Sequence, residues 1–382
     1  MDARDKRGHY SGEVVPNEQR KLVLLAAGGT GGHLFPAEAT AVALRKLGAD
    51  VALATDTRAA HYGTEFLTGS VHVIPSATLR GGGVLDYART LGVLTLGMAK
   101  AWTVLRRIKP AVVVGFGGYP TLPPLFAAGM RGVPTVLHDA NAVMGRANRA
   151  LASRVTAIAS SFPEVALLPD ACKSKVTVTG NPVRPNVIAA SSVPYPAPRD
   201  GEPLRIIVFG GSQGARVMAD IVPDAIALLH PALRARLYVV QQARGEDLPR
   251  VQEDYARIGV KAEVAPFFAD LPARLAQSHL VVSRSGASTV AELSAIGRPA
   301  ILVPLPGALD QDQLHNARVL EKAGGAVVLE QRDFSPERAA EDMTKLLNDP
   351  ARLAAMAAGA RSIGALDAAD RLAALVLKTA GT

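Results

Sequence analysis

Apolar residues gather in short unbroken runs of three to seven, separated by longer stretches in which apolar and polar positions recur at helical spacing. In the first half the runs fall at 21–27, 51–54, 71–74, 111–114, 133–137 and 155–159. In the second half they fall at 204–209, 236–240, 262–264, 280–283, 300–303 and 326–329. They are rich in Val, Ile, Leu and Ala and do not alternate, as parallel strands covered on both faces do. The pattern predicts an α/β chain with two Rossmann-like, doubly wound parallel-sheet domains. Residues 191–203 (SSVPYPAPRDGEP) hold four prolines and no periodicity, so the hinge is expected at or just before them. The expected limits are a disordered polar tail at 1–20 without a signal-peptide core, a first domain at 21–183 and a second at 184–365. A last helix at 366–380 is expected to return to the first domain.

One device appears twice. The run at 21–27 feeds into Gly28-Gly29-Thr30-Gly31-Gly32-His33, and the run at 204–209 into Gly210-Gly211-Ser212-Gln213-Gly214-Ala215. Strand, glycine turn and helix in succession let the backbone approach a ligand and offer a helix N-terminus to phosphate. Each half carries a second such turn, Gly115-Phe116-Gly117-Gly118-Tyr119 and Ser283-Arg284-Ser285-Gly286-Ala287. In open parallel sheets the ligand lies beyond the carboxyl ends of the strands, so two such domains place a site in the groove between them. A dinucleotide fingerprint from Gly29 would need glycine where Leu34 stands, and neither loop has the Lys-Ser/Thr pair of a P-loop. Gly210-Gly211-Ser212-Gln213-Gly214 does fit the G-x-S-x-G nucleophile elbow, with His315 and Asp310 as the tempting partners. Their five-residue spacing is not how that fold delivers a triad.

At 382 residues with 48% hydrophobic content, there is enough chain for two cores. The single cysteine, Cys172, forms no internal disulfide, and the eight histidines show no metal-ligand spacing. The net charge of +8 is matched by one segment alone: Arg80 to Arg154 holds ten basic residues against Asp86 and Asp139. With 4% aromatics there are few stacking platforms for nucleic acid, so another anionic partner is expected. Within this segment, 91–105 (LGVLTLGMAKAWTVL) is too short to span a bilayer and reads first as a core helix. An exposed face or neighbouring loop, with Leu79, Val84, Leu85 and Trp102 as candidates, could dip into a membrane surface beside Arg80, Arg106, Arg107 and Lys109.

The set GGTGGHLFP (28–36), GFGGYP (115–120), NAV (141–143), GNPVR (180–184), GGSQGAR (210–216), RSGAST..E (284–292) and D.DQ..NA (310–317) closely resembles the MurG family. These are UDP-N-acetylglucosamine:undecaprenyl-pyrophosphoryl-N-acetylmuramyl-pentapeptide N-acetylglucosaminyltransferases of the GT-B fold. The resemblance covers about 21–335, in order. It implies transfer of GlcNAc from UDP-GlcNAc to the 4-hydroxyl of lipid I, with inversion, to give lipid II for the cell wall. It further implies work at the cytoplasmic face of the bacterial inner membrane as a peripheral protein. UDP-GlcNAc, lipid I, an anionic membrane surface and other cell-wall synthesis proteins are the partners it implies. No metal or cofactor is expected to be required, and magnesium would at most stimulate.

By the family pattern Ser212, Arg184 and the backbone of Ala287, Ser288, Thr289 and Val290 would hold the phosphates. Glu292 would bind the ribose hydroxyls and the Phe268 backbone the uracil. Gln313 would read sugar hydroxyls, with Gln213 and Asp312 beside the donor. Thr30, Gly31, Gly32 and Asn141 would line the acceptor side. His33, at a helix start that disfavours imidazolium, is the candidate base, with Asp139 in reserve. The plainer readings are a cap for His33, a domain-junction salt bridge for Arg184 and a solvated helix carboxylate for Glu292. The chain departs from the family at Asp139-Ala140, where Glu-Gln is usual, at Asp312-Gln313, where two glutamines are common, and at Gln241-Gln242-Ala243-Arg244, where His-Gln-x-Gly is common. Asp310-Gln311-Asp312 spells a D-x-D metal motif of another transferase fold. Another UDP-sugar GT-B transferase and a silent sugar-nucleotide-binding subunit also remain open at this point.

Overall fold

The computed structural model describes residues 20–29, 31–57, 70–77, 84–211 and 214–381. All of the expected tail but Arg20, and the candidates Thr30, Leu79, Arg80, Ser212 and Gln213, lie outside the described residues, as do the side chains of Val84 and Leu85.

Seven strands make the first sheet: β1 (Leu22–Ala26), β2 (Asp50–Thr55), β3 (Val71–Val73), β4 (Val112–Gly115), β5 (Thr135–Asp139), β6 (Ala157–Ser160) and β7 (Val176–Val178). Six make the second: β8 (Leu204–Phe209), β9 (Leu237–Gln242), β10 (Lys261–Ala265), β11 (Leu280–Ser283), β12 (Ala300–Leu302) and β13 (Ala326–Val328). The spatial orders are β3-β2-β1-β4-β5-β6-β7 and β10-β9-β8-β11-β12-β13. Every ladder is parallel. The helices between them are α1 (Gly31–Lys46), α2 (Val84–Ile108), α3 (Leu122–Met130), α4 (Arg146–Ala152), α5 (Pro185–Ser191), α6 (Arg216–Ala227), α7 (Pro231–Arg234), α8 (Leu248–Arg257), α9 (Leu271–Ala276), α10 (Ala287–Ile296), α11 (Asp312–Lys322), α12 (Pro336–Leu347), α13 (Pro350–Ser362) and α14 (Ala368–Thr379).

The unbroken apolar runs are strands because each sheet is covered on both faces, and the period of two sorts alternate residues into different cores. Val23 and Leu25 of β1 pack with α1 and α14, whereas Leu24 and Ala26 pack toward α2 and α3. Likewise Ile206 and Val208 of β8 join α6 and α12, while Ile207 and Phe209 join α5, α9 and α10. Helix α14 lies on the first sheet, its Leu372, Ala373 and Val376 fully buried there. The chain leaves the first sheet after β7, and α5 already packs on α9 and α10 of the second.

Each expected run becomes a strand within about two residues, but β7 is not among them. It is a three-residue edge strand whose Thr177 and Val178 face solvent, so no apolar run marks it. Helix α2 is also longer than the apolar stretch that signalled it, at 25 residues. Its Gly97, Ala101 and Leu105 are buried, while Leu91 and Leu96 are exposed, so it is both a core helix and an apolar surface.

Arg298 ties the linker to the second domain. Although 1% exposed, it donates to the carbonyls of Val193 and Pro194 in the linker, and to those of Leu275, Ala276, Ile296 and Gly297 around α9 and α10. Burial lowers its pKa to about 10, yet it stays charged at neutral pH. Arg298→Met should orphan these carbonyls and lower stability by about 3 kcal/mol, as losses of buried charged hydrogen bonds do. Chemical denaturation followed by circular dichroism measures this, and an unchanged midpoint would contradict it.

Candidate active site

In each sheet the strand order reverses at one place, between β1 and β4 and between β8 and β11. The four glycine turns follow these four strands, so each pair flanks a topological switch point, where open α/β sheets bind ligands. Of the helices that follow these turns, α1 and α10 meet at their first turns: Ser288 Oγ reaches within 3.5 Å of the Gly32 carbonyl. Two positive helix ends therefore converge on one cleft. Among the described residues no side chain caps α10, and Val290 N–H already bonds the Gly286 carbonyl, leaving the amides of Ala287, Ser288 and Thr289 as its first-turn donors.

On the first-domain side, Asp56 Oδ1 accepts the Gly29 N–H at 3.1 Å and holds the glycine loop. His33, in the first turn of α1, lies 2.8 Å from the Phe116 carbonyl through Nδ1. A carbonyl can only accept, so Nδ1 carries the proton and Nε2 of the neutral ring keeps a free lone pair. Burial lowers the His33 pKa more than this hydrogen bond raises it. The ring sits beneath Gly117 and Gly118, at φ 88° and 74°, and a Cβ on Gly118 would stand 3.2 Å from Nε2. Glycine is required there both for its backbone and for the space.

Asp139 ends β5 with 1% exposure. Its carboxylate accepts from Asn141 N at 3.1 Å, Gly145 N at 3.2 Å and Asn148 Nδ2 at 2.9 Å, and burial pushes its pKa up to about 6. Both oxygens are thus engaged in building the 141–145 turn, which makes this carboxylate a support for Asn141 and a poor reserve base. His138 beside it is fully buried, with its pKa lowered by burial to about 4.

On the second-domain side, the Arg184 guanidinium stacks 3.9 Å over Phe35 of α1 and donates to Glu292 Oε1 of α10 at 3.2 Å. Among the described residues its buried Nε has no partner. Glu292 is 7% exposed, so it is no solvated carboxylate, and burial raises its pKa against the opposing pull of Arg184. Gln313 Oε1 accepts from Ser285 N and Leu305 N at 3.3 and 3.0 Å, which leaves its amide nitrogen for a ligand. Asp312 Oδ1 accepts the Gln313 N–H at 2.7 Å, and burial raises its pKa. Phe268 packs on the core with Arg274 stacked 4.6 Å over its ring. The departure at 241–244 is knitted in: Gln242 bridges Gly210 N and the Pro266 carbonyl, Gln241 is buried against Tyr255, and Arg244 lies along Gly214.

Asp310 is engaged across the domain junction. Its carboxylate takes Arg149 at 2.7 Å and Arg146 at 3.4 Å from α4. Arg149 is thereby half-buried, while Arg146 stays exposed. Trp102, Arg106 and Arg107 are exposed on α2 and Lys109 just beyond it, while Phe126 and Met130 are exposed on neighbouring α3. Arg131 stacks on Trp102 and Arg154 on Phe126. No described helix is long and apolar enough to cross a membrane.

The profile of the glycosyltransferase family 28 N-terminal domain matches residues 23–160, and that of the C-terminal domain matches 205–372. The chain belongs to glycosyltransferase family 28. A UDP-N-acetylglucosamine–N-acetylmuramyl-(pentapeptide) pyrophosphoryl-undecaprenol N-acetylglucosamine transferase of Nitrobacter winogradskyi is 59% identical over 94% of this chain and 98% of its own length. An enzyme of the same name from Rhodopseudomonas palustris is 60% identical over 94% of this chain and 96% of its own. The crystal structure of Acinetobacter baumannii MurG superposes with a TM-score of 0.76 at 28% identity, covering 94% of this chain and 99% of that one. The two facing parallel-sheet domains are the GT-B fold of this family.

Three residues central to this geometry had no role assigned from sequence: Asn316, Asp56 and Phe35. Asn316 lies in the D.DQ..NA motif and Phe35 in GGTGGHLFP, so their positions were marked but their partners were not. Asp56 follows β2 in no motif at all.

The tautomer is directly measurable. In ¹⁵N-edited NMR, His33 should be neutral and protonated on Nδ1 at pH 6.5, because a lowered pKa means that the proton is gained only on further acidification. Titration at or above 6.5, or a proton resident on Nε2, would contradict the geometry.

Proposed function

We propose that this protein transfers N-acetylglucosamine from UDP-GlcNAc to the 4-hydroxyl of lipid I, forming lipid II for peptidoglycan. The observation that carries the reading is the convergence of the α1 and α10 N-termini beside Arg184 and Glu292. Such a cleft suits a nucleoside diphosphate that must leave with its charge stabilised. Arg184 and the first-turn amides of α10 would hold the diphosphate, and Glu292 would accept hydrogen bonds from the ribose hydroxyls. The Phe268 backbone would face the uracil, and the free amide of Gln313 the sugar.

The acceptor would lie against Gly31, Gly32 and Asn141. Its 4-oxygen attacks the sugar C1 from the face opposite UDP, so the new C–O bond forms as the bond to the β-phosphate oxygen breaks, with inversion. That oxygen keeps the electron pair, and His33 Nε2 takes the hydroxyl proton. With helix ends and Arg184 already positive at the leaving group, no metal is needed.

A purified protein assayed with UDP-GlcNAc and a short-chain lipid I analogue should turn over in EDTA. His33→Ala should lower kcat by about 10²-fold with UDP binding retained. Glu292→Ala should weaken UDP by about 1.5 to 3 kcal/mol in calorimetry. No GlcNAc transfer by the wild type would overturn the reading, and reversible loss in EDTA would overturn its metal-free form.

The acceptor's lipid requires a docked enzyme, and we assign docking to the exposed face of α2 and α3. There Leu91, Leu96, Trp102, Phe126 and Met130 sit among Arg106, Arg107 and Lys109. Apolar insertion combined with about 1 kcal/mol per basic residue suits a peripheral protein on an anionic leaflet, the cytoplasmic face of the inner membrane, where other cell-wall synthesis proteins would also be met. Arg106→Glu with Arg107→Glu should release it from anionic liposomes in sedimentation. Equal, salt-independent binding to neutral vesicles would contradict this.

A further inference from the structure

One buried carboxamide spans the junction of the two domains. Asn316, in the second turn of α11, is 0% exposed. Its Oδ1 accepts the Ala142 N–H at 2.8 Å, and its Nδ2 donates to Asn141 Oδ1 at 2.9 Å and to the Ser285 carbonyl at 3.3 Å. Because an N–H must donate and a carbonyl must accept, the orientation of this amide is fixed by its partners.

On the same segment, Asp310 crosses to Arg149 and Arg146 of α4. Asp310 and Gln311 both hold φ at 54°, a left-handed conformation that neighbouring non-glycine residues leave unless something holds them. The opposing surface is braced from behind, since Asp139 fixes Asn141, Gly145 and Asn148 together. Residues 310–316 of one domain and 141–149 of the other therefore meet at two independent points, one ionic and one a buried amide pair.

We propose that these two segments form a latch that holds the domains closed, and that Asn316 is the positioning residue that ties Asn141 to the donor-side turn. The proposal rests on the donor and acceptor sides assigned above. Ser285 leads directly into the start of α10, and its N–H and Oγ are held by Gln313. A ligand seated on that helix start and on Gln313 thus shares one hydrogen-bond network with Asn141 across the cleft. Filling the donor site would stiffen the acceptor loop, and opening the latch would misplace Asn141 while leaving the nucleotide's own contacts in place.

The test compares Asp310→Asn, which tolerates the left-handed backbone but removes the charge, with Asn316→Ala. Spin labels on Leu47→Cys and Leu228→Cys, both exposed, would report interdomain distance in a Cys172→Ala background, with and without UDP. Both latch variants should broaden the distance distribution toward longer values. Turnover of the lipid I analogue should fall at least tenfold in kcat, while the Kd for UDP changes less than threefold. Unchanged distances overturn the latch, whether or not kcat falls, and unchanged kcat with altered distances overturns the positioning role of Asn316. Asp310→Asn, a change of charge alone at a partly buried position, keeps the test of the latch valid if Asn316→Ala fails to fold. The distance measurement needs no turnover, so it is decided separately from the assigned reaction.

Discussion

All strands within each sheet run parallel, and this one constraint disposes everything else in the molecule. Parallel pairing sends every carboxyl end to the same edge of its sheet, and with it every glycine turn and every following helix N-terminus. When two such edges face each other, α1 and α10 are brought nearly end to end, as the approach of Ser288 to Gly32 records. Positive helix ends in one cleft, joined by the Arg184 guanidinium, are unfavourable unless an anion balances them. The cleft is thus already shaped electrostatically for the charge that develops on a departing diphosphate, and little reorganisation is left for the moment of reaction.

Around that cleft the loops are held by side chains that contact no substrate in this reading. Asp56 secures the first glycine turn, Gln242 links the turn at Gly210 to the Pro266 loop, and Arg284 donates to the carbonyls of Val303 and Pro304. Each supplies a partner to backbone groups that would otherwise be stranded at the ends of buried strands. Asp139 does the same for the acceptor-side turn, and its raised pKa reflects the desolvation that this support costs. The loops are precise because their supports are buried, and the same burial pushes the Asp139 pKa up and the Arg284 pKa down.

The sheet architecture was legible in the sequence because doubly covered strands must be continuously apolar, and β1 and β8 could hardly be read otherwise. β7 was illegible since an edge strand of three residues carries no such signature. Glycine turns and helix starts were readable as local patterns, which is why His33, Glu292 and the α10 first turn could be singled out. What crosses between segments was not. Nothing local says that Arg149 faces Asp310, that Phe35 carries the Arg184 guanidinium, or that Asn316 joins Asn141, since the partners lie 149 to 175 residues apart along the chain. The same lack of three-dimensional context hid that Asp139 supports the 141–145 turn and that Arg146 and Arg149 meet Asp310.

The Arg184–Glu292 pair shows why both a cation and a carboxylate belong beside one diphosphate. A buried Glu292 without a counterion would be driven to protonate, and a buried Arg184 without one would carry an unbalanced charge. Paired at 3.2 Å, each offsets the other's charge and holds it in place. The pair need not break when the nucleotide enters. Arg184 retains an unpartnered Nε among the described residues, and only Oε1 of Glu292 is committed to it. Phosphate on one side and ribose hydroxyls on the other can then be added to contacts that already exist. Stacking on Phe35 fixes the plane of the guanidinium from the opposite domain, so the cation's direction depends on how the two domains sit together.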